Sequence, residues 1–141
     1  MRLLPVSFAA VVCGALLSAC VTASGVSENT TDKHVVSNVR TKIDTSVAVN
    51  KDCTFKVLPH VAVIHAPAHG TIDSAHEKVS IGDTPIAKRK PECASGRVDG
   101  VASYYISKPG YVGPDRVTIR HSFGDGSHVI YDTVNISVSN K

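Results

Sequence analysis

Residues Arg116 to Phe123 alternate without a break. Val117, Ile119, His121 and Phe123 fall on one side, and Arg116, Thr118, Arg120 and Ser122 on the other. A period of two belongs to a β-strand with one buried and one wet face. The pattern recurs near the end of the chain, where Val134, Ile136 and Val138 oppose Thr133, Asn135 and Ser137. Asp132 continues the apolar parity of that strand, so the buried part is expected to start at Thr133, or the strand to bulge at Asp132. Aromatic residues make up only 5% of the chain and tryptophan is absent, so core volume has to come from Val and Ile. Their branched side chains suit a pleated surface. Other short pieces read the same way: V-V-S-N-V-R-T-K-I and T-S-V-A-V, parted by Asp44; Cys53 to Leu58, stopped by Pro59; and Val61 to Ala66, apolar on both faces. Asp73 to Asp99 contains Gly82, Pro85, Pro91 and Gly96 and reads as an insertion-like loop region. Many short strands, frequent turn signals and no useful helical stripe imply an all-β sandwich or barrel.

The first residues have a different character. Met1-Arg2 carries one positive charge, and Leu3 to Leu17 is almost uniformly apolar. About fifteen apolar residues are too few for a permanent membrane span, which needs roughly 20, and the pattern is that of a secretory signal peptide. Its end, Leu17-Ser18-Ala19-Cys20, resembles the bacterial lipobox. The resemblance implies cleavage before Cys20 and lipidation of Cys20, with the membrane reached through that lipid anchor. Val21 stands where Asp typically retains lipoproteins at the inner membrane, which points to the outer membrane in a two-membrane cell. The chain of 141 residues then divides into a signal peptide over 1–19, a lipidated flexible tether over 20–33 and one domain over 34–141. Asn29-Thr30-Thr31 and Asn135-Ile136-Ser137 match a glycosylation sequon, a coincidence in a bacterial lipoprotein.

Of the four cysteines, Cys13 leaves with the leader and Cys20 takes the lipid. Cys53 and Cys93 remain, in a compartment that permits disulfides, and neither sits in a C-x-x-C. A bridge between them is expected; two free thiols or a soft-metal site is the alternative.

Tyr104 to Gly126 carries a further resemblance. Pro67-Ala68-His69-Gly70-Thr71, then Tyr105, then Gly110-Tyr111-Val112-Gly113-Pro114-Asp115, then Val117 and Ile119, then Asp125-Gly126 follow one another in order. This resembles the bacterial immunoglobulin-like, cadherin-like modules of surface proteins, over about Cys53 to Val138. It implies an immunoglobulin-like antiparallel β-sandwich, in which Tyr105, Gly110, Tyr111, Gly113 and Asp115 shape a structural turn. Gly110 and Gly113 permit positive φ, Tyr111 can plug the end of the sandwich, and Asp115 can accept backbone N–H bonds.

Candidate chemistry is thin. The seven histidines include His34, His60, His121 and His128, scattered, and His65, His69 and His76 around one turn. The last three are the candidate zinc or copper ligands, although four-residue spacing aligns side chains on a helix and not across a Pro-Ala turn. His121 reads as a core-facing strand residue. Asp73, Glu77, Asp99, Asp115, Asp125 and Asp132 could contribute to a calcium site but lack the D-x-D-x-D-G pattern. Lys88-Arg89-Lys90-Pro91 is a solvated basic loop, or a contact for anionic headgroups or cell-wall polymer. A net charge of +3 argues against nucleic acid as partner. No nucleophile elbow, phosphate loop or dinucleotide fingerprint occurs, so no enzyme and no cofactor are expected. The reading is a non-catalytic envelope lipoprotein with a protein or glycan partner, with a metal-binding (copper, zinc or calcium) lipoprotein as the alternative.

Overall fold

The computed structural model describes Gly25 to Lys141. The expected signal peptide and the lipidation site Cys20 lie outside the described residues. Seven strands follow in chain order: β1 (Val26–Val36), β2 (Thr41–Ser46), β3 (His60–His65), β4 (Gly70–Ser80), β5 (Arg97–Ser107), β6 (Gly113–Ser122) and β7 (Val129–Ser139). A single helical turn, α1 (Ile86–Arg89), lies between β4 and β5, flanked by 3₁₀ turns at Ile81–Asp83 and Pro91–Cys93. The strands form a four-stranded sheet in the order β1-β7-β6-β3 and a three-stranded sheet in the order β2-β5-β4. All pairings are antiparallel except β1 with β7, which is parallel. This is the immunoglobulin-like β-sandwich, with the first strand laid along the last.

The alternation of β6 and β7 builds the main core. Val117 and Ile119 from β6 and Val134, Ile136 and Val138 from β7 pack with Val35, Ile43 and Tyr105. Residues of the opposite parity on β5, Val98 and Ala102, join a second cluster with Val47, Val79, Ile81 and Cys93. Both faces of β5 are therefore covered, the second by the segments around Val47 and Ile81–Cys93. Gly100 marks how tight that cover is: a Cβ there would lie 2.6 Å from Val79 and 2.7 Å from the Ser46 carbonyl oxygen. Cys53 and Cys93 form the disulfide that staples the two covering segments together, with Cα atoms 5.2 Å apart.

Three sequence expectations are corrected. The flexible tether expected up to Lys33 gives way to strand at Val26, so the domain begins well before His34. Val26 to Val36 pairs in continuous register with Val129 to Ser139, but every β1 side chain except Val35 is exposed. With neither face buried, such a strand leaves no apolar alternation to read. The loop expected over Asp73–Asp99 is strand up to Ser80 and again from Arg97, for a similar reason: along β4 only Val79 is fully buried. Conversely, Cys53 to Leu58 makes no strand beyond a single bridge between Val49 and Phe55. Cys53 sits at φ +67°, in the left-handed region, which ends any extended run.

At one end of the sandwich Asp115 collects donors from three parts of the chain. Its carboxylate accepts the Tyr105 hydroxyl at 2.8 Å, the backbone N–H of Ala68 and His69 at 2.9 and 3.0 Å, and that of Arg116 at 2.9 Å. Tyr105 is fully buried. Burial works to raise the Asp115 pKa, but the Tyr105 hydroxyl and the three backbone N–H groups outweigh it and hold the carboxyl below its ordinary value. The adjoining turn needs Gly110 at φ +75° and Gly113 at φ +137°. Tyr111 folds back between them, donating to the Pro114 carbonyl and stacking on His69 with ring centroids 4.1 Å apart.

Two outcomes follow for stability. Replacing both Cys53 and Cys93 by Ser opens a 40-residue loop; urea unfolding should show a loss of up to about 4 kcal/mol on the chain-entropy account. Asp115→Ala leaves the Tyr105 hydroxyl and two loop N–H groups without a partner, a loss of about 3 kcal/mol. Because the folded-state pKa of Asp115 is depressed, its contribution is present above the unfolded value near ~4 and lost as pH falls through the folded one. Wild-type stability should therefore fall more steeply below about pH 4 than that of Asp115→Ala.

Candidate functional site

At the far end of the sandwich from Asp115, three ionisable side chains converge between the sheets. His121 comes from β6 and Asp132 from β7; Asp44 comes from β2 in the opposite sheet. The local chain explains each placement. His121 continues the buried parity of β6 beyond Ile119. Asp132 keeps the inward parity of β7, which runs through it without a register shift, so the bulge considered at Asp132 is absent. The register shift falls instead on β2, between Lys42 and Asp44 against β5. A bulge re-aims the side chain that follows it, and here Ile43 enters the core while Asp44 turns toward His121.

His121 Nε2 lies 3.3 Å from Asp44 Oδ2 and 3.1 Å from Asp132 Oδ2. One ligand atom from each residue lies within 4.8 Å of the other two. The imidazole is 2% exposed, and the two carboxylates 14% and 20%. Neither His121 nitrogen, nor Asp44 Oδ2, makes a hydrogen bond of acceptable geometry. Asp132 is steadied from β1, where Asn29 Nδ2 donates to Oδ1 at 2.7 Å. The two carboxyls are pushed in opposite directions. Burial raises Asp44, and the nearby Asp132 adds to this, against the pull of His121. For Asp132 burial also acts upward, but the nearness of the His121 ring and the hydrogen bond from Asn29 prevail and the pKa is lowered. Both carboxylates open onto a cleft of about 520 Å³, lined also by Asn29, Lys33, Lys42, Thr84 and Lys88.

The histidines that the sequence offers as candidate ligands are not brought together. His65 ends β3 on one sheet and His76 lies on β4 in the other, both exposed, while His69 stacks on Tyr111. The acidic candidates for calcium are dispersed as well. Asp73 pairs with Arg40, Glu77 with Lys42 and the Tyr104 hydroxyl, and Asp99 with Lys78. Asp115 is taken up by Tyr105, and Asp125 by His128 and the backbone of its own turn. Asp132 alone enters a cluster. The basic run is part of α1, with Lys88 on the cleft and Lys90 donating to the Asn50 carbonyl. Sequence reasoning missed the pairing of Asp44 with Asp132. Part of its signal was present in Asp132 and His121 at inward positions of their strands; Asp44 gave none.

Comparison with protein-family models, curated proteins and solved structures gave no match.

The opposite pKa directions make the two carboxylates unequal. Asp132→Asn removes a favourably held charge and should destabilise the fold by on the order of 1–2 kcal/mol at pH 7. Asp44→Asn removes a charge that burial disfavours and should cost less. Urea unfolding of the two variants side by side checks the order.

Proposed function

We propose that this chain is a non-catalytic lipoprotein of the bacterial cell envelope, whose immunoglobulin-like domain serves binding or structural interaction at the cell surface or in the periplasm. One observation gives that reading its geometry: β1 starts at Val26, close behind the lipobox cysteine Cys20. Only Val21 to Gly25 separate them. A chain rises at most about 3.3–3.6 Å per residue, so the six steps from Cys20 to Val26 reach at most about 20–22 Å. A lipid on Cys20 would hold the domain against the membrane by the end where β1 begins. That end carries the β6–β7 turn, since Val26 pairs with Val129.

The same end carries the disulfide-stapled cover with its basic turn, Lys88 to Lys90, and the exposed Phe55. Positive charge at that place suits an anionic headgroup surface. The opposite end and the outer sheet faces would remain for a protein or glycan partner. On the outer face of the three-stranded sheet, Arg40 lies over the Tyr104 ring at 3.5 Å, and Lys42 and Glu77 close the group.

Cys20→Ser tests the anchor. The wild-type chain should fractionate with membranes and acquire the mass of a lipidated N-terminus, and the variant should appear soluble or unprocessed. Unchanged processing and unchanged fractionation of the variant would remove this reading.

A further inference from the structure

The inference here goes beyond anchoring and does not depend on it. We propose that Asp44, His121 and Asp132 form a binding site for a divalent first-row transition-metal ion, approached through the cleft above them.

The first support is an unmet need in the buried cluster. Buried polar atoms nearly always have a hydrogen-bond partner, and each exception calls for an explanation. His121 is almost wholly buried, yet its Nε2 has no hydrogen bond of acceptable geometry, and the same holds for the Asp44 Oδ2 that faces it. A proton shared between one imidazole nitrogen and two carboxylates can lie along only one line at a time. A cation among the three satisfies Nε2 and both oxygens together.

The second support is spacing. Zinc–nitrogen and zinc–oxygen bonds of about 2.0–2.2 Å place neighbouring tetrahedral ligands about 3.3–3.6 Å apart. The separations from Nε2 are 3.3 and 3.1 Å, the second slightly short, and the two carboxylate oxygens lie within 4.8 Å of each other, so binding needs only small side-chain adjustments. Asp132 is also held from behind. Asn29 occupies its Oδ1, leaving Oδ2 toward the centre. Outer partners of this kind orient ligands in metal sites.

The donor set limits the metal. Calcium and magnesium take oxygen ligands and have little use for an imidazole. Soft cuprous copper prefers sulfur, and among the described residues the two cysteines, Cys53 and Cys93, are bonded to each other. One imidazole and two carboxylates suit zinc or its divalent neighbours. Two carboxylates balance the double charge of the ion, so its burial leaves no net charge between the sheets. Three protein ligands leave at least one position open toward the cleft. Lys42 is engaged by Glu77, but Lys33 and Lys88 also line that cleft. Their charge favours a small anion over water as the ligand completing the shell.

The experiment uses the full chain, purified in detergent and stripped with a chelator, then titrated with zinc chloride by calorimetry and with cobalt(II) by visible absorption. One zinc per chain is expected, together with a cobalt spectrum of low-coordinate nitrogen and oxygen ligation. Asp132→Asn should weaken zinc binding by about tenfold or more, and Asn29→Ala, which keeps all three ligands, by a smaller factor. A chain with His65, His69 and His76 all changed to Ala should bind as the wild type does. Circular dichroism establishes that each variant is folded; Asp44→Asn stands in if Asp132→Asn is not. No zinc uptake by the folded wild type up to about 1 mM would overturn the proposal and leave the cluster as an ion pair between sheets. Uptake unchanged by Asp132→Asn, or lost with the three exposed histidines, would overturn it as well.

Discussion

Four hydrogen bonds to one carboxylate decide how the two sheets meet. Asp115 belongs to β6, Tyr105 to β5 in the other sheet, and Ala68 and His69 to the connection that crosses between them. The carboxylate is buried, and it is ionised because its donors exceed the burial penalty. Each partner is constrained in turn. Tyr105 fills the core up to its hydroxyl, and Gly70 must lack a side chain because a Cβ there would meet the Tyr105 ring at 2.3 Å. Apolar packing alone is non-directional. This bonded corner fixes which loop sits on which strand.

The opposite end repeats the device with other chemistry. There Asp44 of one sheet and Asp132 of the other meet at His121, 3.3 and 3.1 Å from its Nε2. Val and Ile fill the space between the two polar ends. With few aromatic residues to supply volume, the domain adds a second apolar cluster outside the three-stranded sheet and closes it with Cys53–Cys93. Small domains with limited cores commonly depend on such covalent bridges. The chain thus combines a modest core, a covalent staple and two polar fastenings between the sheets.

The parts legible in the sequence are those with one buried face. β6 and β7 announced themselves because Val117, Ile119, Val134, Ile136 and Val138 alternate with polar residues. The disulfide was legible by elimination, and the turn around Tyr111 by its glycines. β1 was not, because its pairing runs through backbone groups while almost all of its side chains face water. β4 was hidden likewise. The candidate site was half legible. His121 and Asp132 each stood at an inward position, but a strand pattern says nothing about which residue of the facing sheet will meet them. Asp44 reaches them only because β2 shifts register beside it, and a bulge has no signature in Lys42-Ile43-Asp44. The histidines around one turn in the sequence, His65, His69 and His76, were separated by that turn, with His65 and His76 on strands of different sheets.

The parallel pairing of β1 with β7 has a mechanical side. The two strands run the same way over eleven matched positions, from Val26 beside Val129 to Val36 beside Ser139. An anchor at the N-terminal end and a load at the C-terminal end would pull them along their length in opposite directions. Every bond between them would then bear the force together, as in a lap joint, instead of parting one after another like a zip. The exposed first strand, which contributes little to the core, thus resists tension applied between the start of β1 and the end of β7.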